Sequence, residues 1–238
     1  EPRPCIWMMS VSGPHVGPMS EVAERVAFMQ IIHLGRRDIV IATVCMFLGS
    51  TISARAGGEG AATVTIQQLI DGLIQIMKAG PATPFQQRYA MLGPVINKTF
   101  DLPVILRESV GPAWTALQPD QQAILTDAFR RYTIASYVNS FDDFTGQRFQ
   151  INPETRTVGS EQVVETKVIP AKGDPHELDY VMREGANGWR VIDVLADGAI
   201  SRVAVQRSDF RRILSRGGAQ ALADNLRIKA ADLSDGSS

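Results

Sequence analysis

An α+β fold, with a curved antiparallel sheet covered on one face by helices, is what three features of this sequence predict. Apolar residues recur at helical spacing from 64 to 140, gather in β-rich runs from about 146 to 196, and return to helical spacing from Ile200 onward. Helices first, antiparallel strands next and helices last leave the sheet one face to bury and the helices one surface to cover.

The elements follow in order. Ile66, Leu69, Leu73 and Met77 repeat at spacings of 3, 4 and 4, one stripe of a helix. Pro84 marks the start of a second helix, in which Phe85, Tyr89, Leu92, Ile96 and Phe100 repeat at 4, 3, 4 and 4. "FDLPVILRESVGPAW" holds a short helix bounded by Pro103 and by Gly111-Pro112. "QPDQQAILTDAFRRYTIASYVNSF" opens on Pro119 and Asp120, a proline and an acid suited to a first turn, and carries Leu125, Phe129, Tyr132 and Ser136 along one face.

The strand region contains three β-rich runs, Thr166 to Ile169, Leu178 to Met182 and Val191 to Leu195, separated by "PAKGDPH" and "EGANG". Asn187-Gly188 is the strongest turn signal in the chain and suits a type I′ hairpin. A two- or four-residue loop there puts Leu178, Tyr180 and Met182 on one face with Trp189, Val191, Asp193 and Leu195. A three-residue loop exchanges that partner set for Ile192 and Val194. The first arrangement is the expected one. The closing helical region is interrupted at Gly217-Gly218, and the polar tail 231–238 reads as disordered.

The stretch "RRDIVIATVCMFLGSTISARA", residues 36–56, has the layout of a secretory signal. Two arginines precede an apolar run from Ile39 to Gly49, and Ala54-Arg55-Ala56 offers small residues for cleavage. A spanning helix needs about 20 apolar residues, and this run has about half of that. Cleavage after Ala56 is therefore expected, with export to the periplasm. Arg36-Arg37 followed by Asp38, Ile39 and Val40 also resembles a twin-arginine signal in part. Residues 1–35 read as misassigned upstream leader, with Met29 a candidate true start. The alternative is a short accessory helix from Glu21 to Ile32. Residues 57–63, with Gly57, Gly58 and Gly60, read as a flexible N-terminus, and 64–230 as a single domain.

Cleavage simplifies the chemistry. Both cysteines, Cys5 and Cys45, fall in the removed part, with His15 and His33; only His176 remains. The rest keeps 19 Lys and Arg against 21 Asp and Glu, a balance that argues against a nucleic-acid binder. No cofactor or metal is called for, since one histidine in the polar "DPH" segment lacks the companions of a zinc site. Gly57-Gly58-Glu59-Gly60 is no phosphate loop, because no GxxxxGK[ST] follows.

Specific words then narrow the reading. "FDLPVILRESVGPAWTALQPDQQAILTDAFRRYTIASYVNSF", followed by "GQRFQI", "YVMREGANGWRVIDVLADGAIS" and "QRSDF", resembles the MlaC/toluene-tolerance family of periplasmic lipid carriers, and within it the hopanoid-associated branch called HpnM. The resemblance spans roughly residues 64 to 230. It implies a sheet-and-helix fold that encloses a deep apolar pocket for acyl chains. It also implies a non-enzymatic, monomeric shuttle carrying phospholipid or hopanoid-type lipid between an outer-membrane lipoprotein complex and an inner-membrane transporter. On that reading the lining residues are Phe100, Leu102, Ile105, Leu106, Trp114, Leu125, Phe129, Tyr132, Leu178, Tyr180, Met182, Val191 and Leu195.

The physical demand of such a task is plain. Exposing an acyl chain of about fourteen methylenes to water costs ~11 kcal/mol at ~0.8 kcal/mol per CH₂. A carrier must therefore shelter tails in an apolar space and needs neither acid, base nor metal. Residue by residue, the same side chains also fit an ordinary packed core. Tyr132 and Tyr180 are candidates to offer a hydroxyl to a lipid head group. Arg130-Arg131 and Arg211-Arg212 are candidates to contact anionic head groups or a transporter, or form a solvated face.

Two rival functions stand beside the carrier. A ketosteroid-isomerase-like enzyme would use Asp193 as acid or base on a small apolar substrate, although a structural hydrogen bond is the simpler role for that carboxylate. A periplasmic adaptor would have a solid interior and no ligand.

Overall fold

The computed structural model describes residues 57–235, so the expected leader and export signal lie outside the described residues. Helix α1, Gly57–Ala79, buries Ala62, Ile66, Leu69 and Leu73 completely. The helix thus occupies 57–63, where the sequence suggested a flexible start. Ala62 extends the Ile66 stripe by one turn, and its burial helps offset the poor helix propensity of the glycines before it. Helix α2, Phe85–Thr99, follows Pro84 and buries Leu92 and Ile96. Its C-terminal carbonyls are capped from a distance, because the Arg190 guanidinium donates to the carbonyls of Asn97 and Phe100.

Helix α3, Leu102–Val110, starts where the sequence placed it. Asp101 accepts from the Val104 N–H at 3.3 Å and Pro103 sits in the first turn. A 3₁₀ turn, Gly111–Ala116, leads to helix α4, Pro119–Ser140. The first turn of α4 is closed by a reciprocal Gln118–Gln121 box. Leu125 and Phe129 on its inner face are buried.

The strands are β1 Arg148–Ile151, β2 Arg156–Val158, β3 Glu161–Val164, β4 Thr166–Ile169, β5 His176–Gly185, β6 Gly188–Ala196 and β7 Ile200–Ser201. All pair antiparallel in one open sheet organised on β5. Strand β6 pairs with β5 on one side, and β3 and β4 share the other. Outside those lie β2 on β3 and β1 on β4, while β7 extends β6. His176 is the first residue of β5, opposite Val168, rather than a loop residue.

The β5–β6 hairpin departs from the sequence reading in two ways. The connecting residues are Ala186 and Asn187, and positive φ occurs at Gly188 (85°) but not at Asn187, so the turn is not type I′ about Asn187-Gly188. More consequential is a β-bulge. Met182 faces Val191 as expected, but Val181 pairs with Asp193, which leaves Ile192 as an extra residue without a partner. Beyond it the register changes: Tyr180 faces Val194 and Leu178 faces Ala196, while Leu195 faces Asp179 on the other side of the sheet. One hairpin therefore follows both registers, one on each side of Ile192.

The chain between α2 and α3 is stitched to β6: Phe100 forms a parallel bridge with Val191, and the Asp101 N–H donates to the Val191 carbonyl at 2.9 Å. Helix α5, Arg202–Asp235, breaks at Gly218 (φ 67°, ψ −165°), within the predicted Gly217-Gly218 interruption. The helix continues through 231–235, where disorder was expected, and Ala230 and Leu233 pack against the core. Among the described residues no helix is long and apolar enough to cross a membrane.

Candidate functional site

An apolar cavity lies where α3, α4, β6 and the first half of α5 meet. Its walls are Phe100, Leu102 and Ile105 near α3, Phe129 and Thr133 on α4, Asp193 and Val194 on β6, and Arg202, Val203 and Gln206 on α5. Its volume is about 20 Å³, room for a single water molecule. Pockets that hold drug-sized ligands measure roughly 300–1,000 Å³, so a hydrocarbon tail needs this space enlarged. The apolar wall residues are buried, whereas Asp193, Arg202 and Gln206 are only half-buried, so solvent approaches the cavity from the α5 side.

Four residues of the sequence-derived lining set, Phe100, Leu102, Ile105 and Phe129, come together at this cavity. The spacing brings them there: Leu102 and Ile105 share a face of α3, and Phe100 is the last residue of the α2 stripe. Leu106, Leu125, Met182 and Val191 are fully buried core residues outside its lining. Trp114, Tyr132 and Leu178 are half-buried and pack at the margin of the core. Leu195 lies on the opposite face of the sheet, because the bulge at Ile192 turns it there. Thr133, Arg202, Val203 and Gln206 were not foreseen, and Val194 entered only through the alternative three-residue loop. Thr133 lies one turn beyond Phe129 on the same face, a signal the sequence did carry.

Tyr180 is not placed to meet a lipid head group at the surface. It is 2% exposed and belongs to a cluster of rings, 6.5 Å from Phe100, which itself lies 5.3 Å from Tyr137. Burial pushes the hydroxyl pKa of both tyrosines upward.

Asp193 is held by α5. One carboxylate oxygen accepts from the backbone N–H of Val194 at 2.8 Å and of Val203 at 3.0 Å; the other accepts from the Ser201 hydroxyl. Ser201 in turn accepts from the Ala204 N–H at 3.0 Å, so the pair caps the N-terminus of α5, where the helix dipole favours a negative charge. The structural role is the one observed.

Polar links also join α3 to α5 beside the cavity. The buried Ser109 hydroxyl donates to Gln206 Oε1 at 3.0 Å. Arg207 donates from Nε to the Glu108 carbonyl at 2.8 Å and pairs with its carboxylate at 3.6 Å. Arg130 and Arg131 both bind Asp127, at 2.9 and 2.7 Å. Arg212 binds Asp209 at 2.9 Å, and Arg211 has no ion-pair partner among the described residues.

Comparison with known proteins adds three findings. A family model described as "MlaC protein" matches residues 67–228. No curated protein matches the chain. Among solved structures, a phospholipid-binding protein from Ralstonia solanacearum, determined in complex with a phospholipid, superposes with a TM-score of 0.64 at 23% identity, covering 72% of this chain and 98% of that one. At that identity the likeness speaks for the fold.

Proposed function

Because the chain belongs to the MlaC family, we propose that it is a lipid-binding carrier whose ligand tails enter between the sheet and the α3–α5 helices. The observation that carries this reading is the family match over nearly the whole described domain, together with an apolar cavity in the same sheet-and-helix architecture. The phospholipid bound to the structural neighbour supports the same class of ligand.

The tail-binding residues are Phe100, Leu102, Ile105, Phe129, Val194 and Val203. A tail widens the cavity by moving α3 and the first half of α5 away from β6. Two kinds of contact resist that motion: a few hydrogen bonds worth about 1 kcal/mol net apiece, and the apolar contacts lining the cavity. Tail burial returns ~0.8 kcal/mol per methylene, so a tail of ordinary length outweighs the hydrogen bonds. The chain acts as a carrier rather than an enzyme, and it runs between the outer membrane and an inner-membrane transporter in the periplasm. Its cargo is a phospholipid or a hopanoid-type lipid.

Organic extraction of the gently purified protein, followed by mass spectrometry, tests this. The expected result is close to one lipid per chain, whose mass also decides between phospholipid and hopanoid. A chain that retains no lipid and takes up none from vesicles overturns the reading.

A further inference from the structure

Charge on this domain is unevenly distributed. Residues 107–108 and 202–216 hold six arginines against two carboxylates, while the remainder of 57–238 holds thirteen basic side chains against nineteen acidic ones. The basic set is also contiguous in space, since Arg207 on α5 contacts Glu108 on α3 and its side chain runs beside Gly111. On α5 the exposed face is formed by Ala204, Ser208, Arg211, Arg212, Ser215 and Arg216. Arg212 and Arg216 are one turn apart and Arg211 is adjacent to Arg212, so the three crowd one outward surface, with Ser215 beside them and Ala204 and Ser208 in the turns before. Glu108 and Asp209 partly offset Arg207 and Arg212, but Arg211 and Arg216 have no ion-pair partner among the described residues.

We propose that this α5 face is a docking surface for an anionic lipid bilayer, and that it brings the α5 side of the cavity against the membrane. The choice of a bilayer as partner rests on the carrier reading. The chemistry of the face agrees with it. A protein partner is usually gripped by a cluster in which Trp and Tyr accompany Arg in well-packed pockets. The exposed large apolar residues of the described chain are Val64, Phe144, Val158, Ile200 and Ile228, none of them within the first half of α5. A cluster of exposed arginines flanked by alanine and serine suits a plane of phosphates, where guanidinium groups bind by paired hydrogen bonds and by charge. Val203 and Gln206 line the cavity from the inner face of the same helix segment, so docking through the outer face leaves only α5 between the cavity and the lipid surface.

Flotation of the purified protein with vesicles tests the proposal. Vesicles of phosphatidylcholine with phosphatidylglycerol mixed in should carry the protein upward, vesicles of phosphatidylcholine alone should not, and high salt should abolish the effect. Each basic residue at such a surface strengthens binding by about fivefold, so Arg211→Gln, Arg212→Gln and Arg216→Gln together should weaken it by about a hundredfold. A charge-matched control on the sheet and its β4–β5 loop, Arg148→Gln, Lys172→Gln and Arg183→Gln, should bind nearly as the parent does. Equal binding to both vesicle types, absence of binding at low salt, or equal losses in the two triple variants would each overturn the proposal. Absence of vesicle binding would assign the arginines to an acidic protein surface or to solvent. Lipid content by extraction is measured on the same triple variant: if it remains stoichiometric while flotation is lost, the carrier reading stands on its own. If the parent floats but carries no lipid, docking survives and the carrier reading fails.

Discussion

The two ends of the helical layer are built differently. Under α1 and α2 the interior is chiefly hydrocarbon: Ile66, Leu69, Leu73, Leu92 and Ile96 are completely buried. The one buried charge there, Arg88, is held by the carbonyls of Thr83 at 3.1 Å and Asp142 at 3.5 Å, which ties the start of α2 to the end of α4. Under α3 and the first half of α5 the contact is interrupted by a cavity and by polar links, Ser109 to Gln206, Arg207 to Glu108 and Asp193 to Ser201. Parting close-packed hydrocarbon loses contact energy and exposes apolar surface to water, whereas a partly exposed hydrogen bond that opens is replaced by one to water. The first region is a scaffold and the second a seam.

The largest effect should come from the scaffold. Leu73→Ala should destabilise by about 3 kcal/mol and lower Tm by about 10 °C, while lipid content per folded molecule stays that of the parent. A loss of bound lipid at preserved fold would break the distinction between the two regions. Next, Asp193→Ala removes an acceptor from the Val203 N–H and the Ser201 hydroxyl together. It should cost about 2 kcal/mol and speed lipid exchange with vesicles, because the N-terminus of α5 is no longer anchored to β6. Unchanged exchange kinetics would mean that α5 does not move.

Ile105→Trp fills the seam with a smaller cost in stability, about 1–2 kcal/mol, and should reduce retained lipid severalfold. Val191→Trp, whose parent side chain is completely buried beside Phe100, should instead lower Tm with no selective effect on lipid. If both variants lose lipid equally at equal stability, the cavity does not mark the tail site.

The smallest effect concerns Asp179. Burial raises its carboxyl above the usual 3.8; a hydrogen bond from the Thr166 backbone opposes this, and the neighbouring Glu165 and Glu177 add to the rise. An acid with a raised folded-state pKa binds its proton more tightly in the folded chain, so its contribution favours low pH. That contribution declines as pH climbs from about the unfolded value through the raised one. Asp179→Asn should therefore gain slightly in Tm over the parent at neutral pH, with the gain shrinking on acidification. A gain that grows toward low pH would contradict the assignment.

Much of this architecture was legible in the sequence because it follows from local chemistry. Pro84, Pro103 and Pro119 mark helix starts, Gly217-Gly218 marks the break in α5, and the 3–4 spacing of Ile66 to Met77 gives the buried face of α1. The bulge at Ile192 was not legible. It answers to the twist of the assembled sheet, and it put Leu195 on the wrong face in a reading that assumed one register. Strand β2 is exposed throughout and so shows no alternation to read. At the cavity, the sequence yielded the contributions of α3 and α4, whose large side chains announce themselves. It missed Val203 and Gln206, because their position depends on how α5 returns across β6 after a two-residue strand.

Photolabelling tests the central claim most directly. The protein would be loaded with a phospholipid carrying a diazirine near the end of one tail, irradiated and mapped by mass spectrometry. The account predicts labelled peptides from α3, from α4 around Phe129, from β6 and from the first half of α5. Labelling confined to α1 and α2, or to the outer face of the sheet, would contradict it.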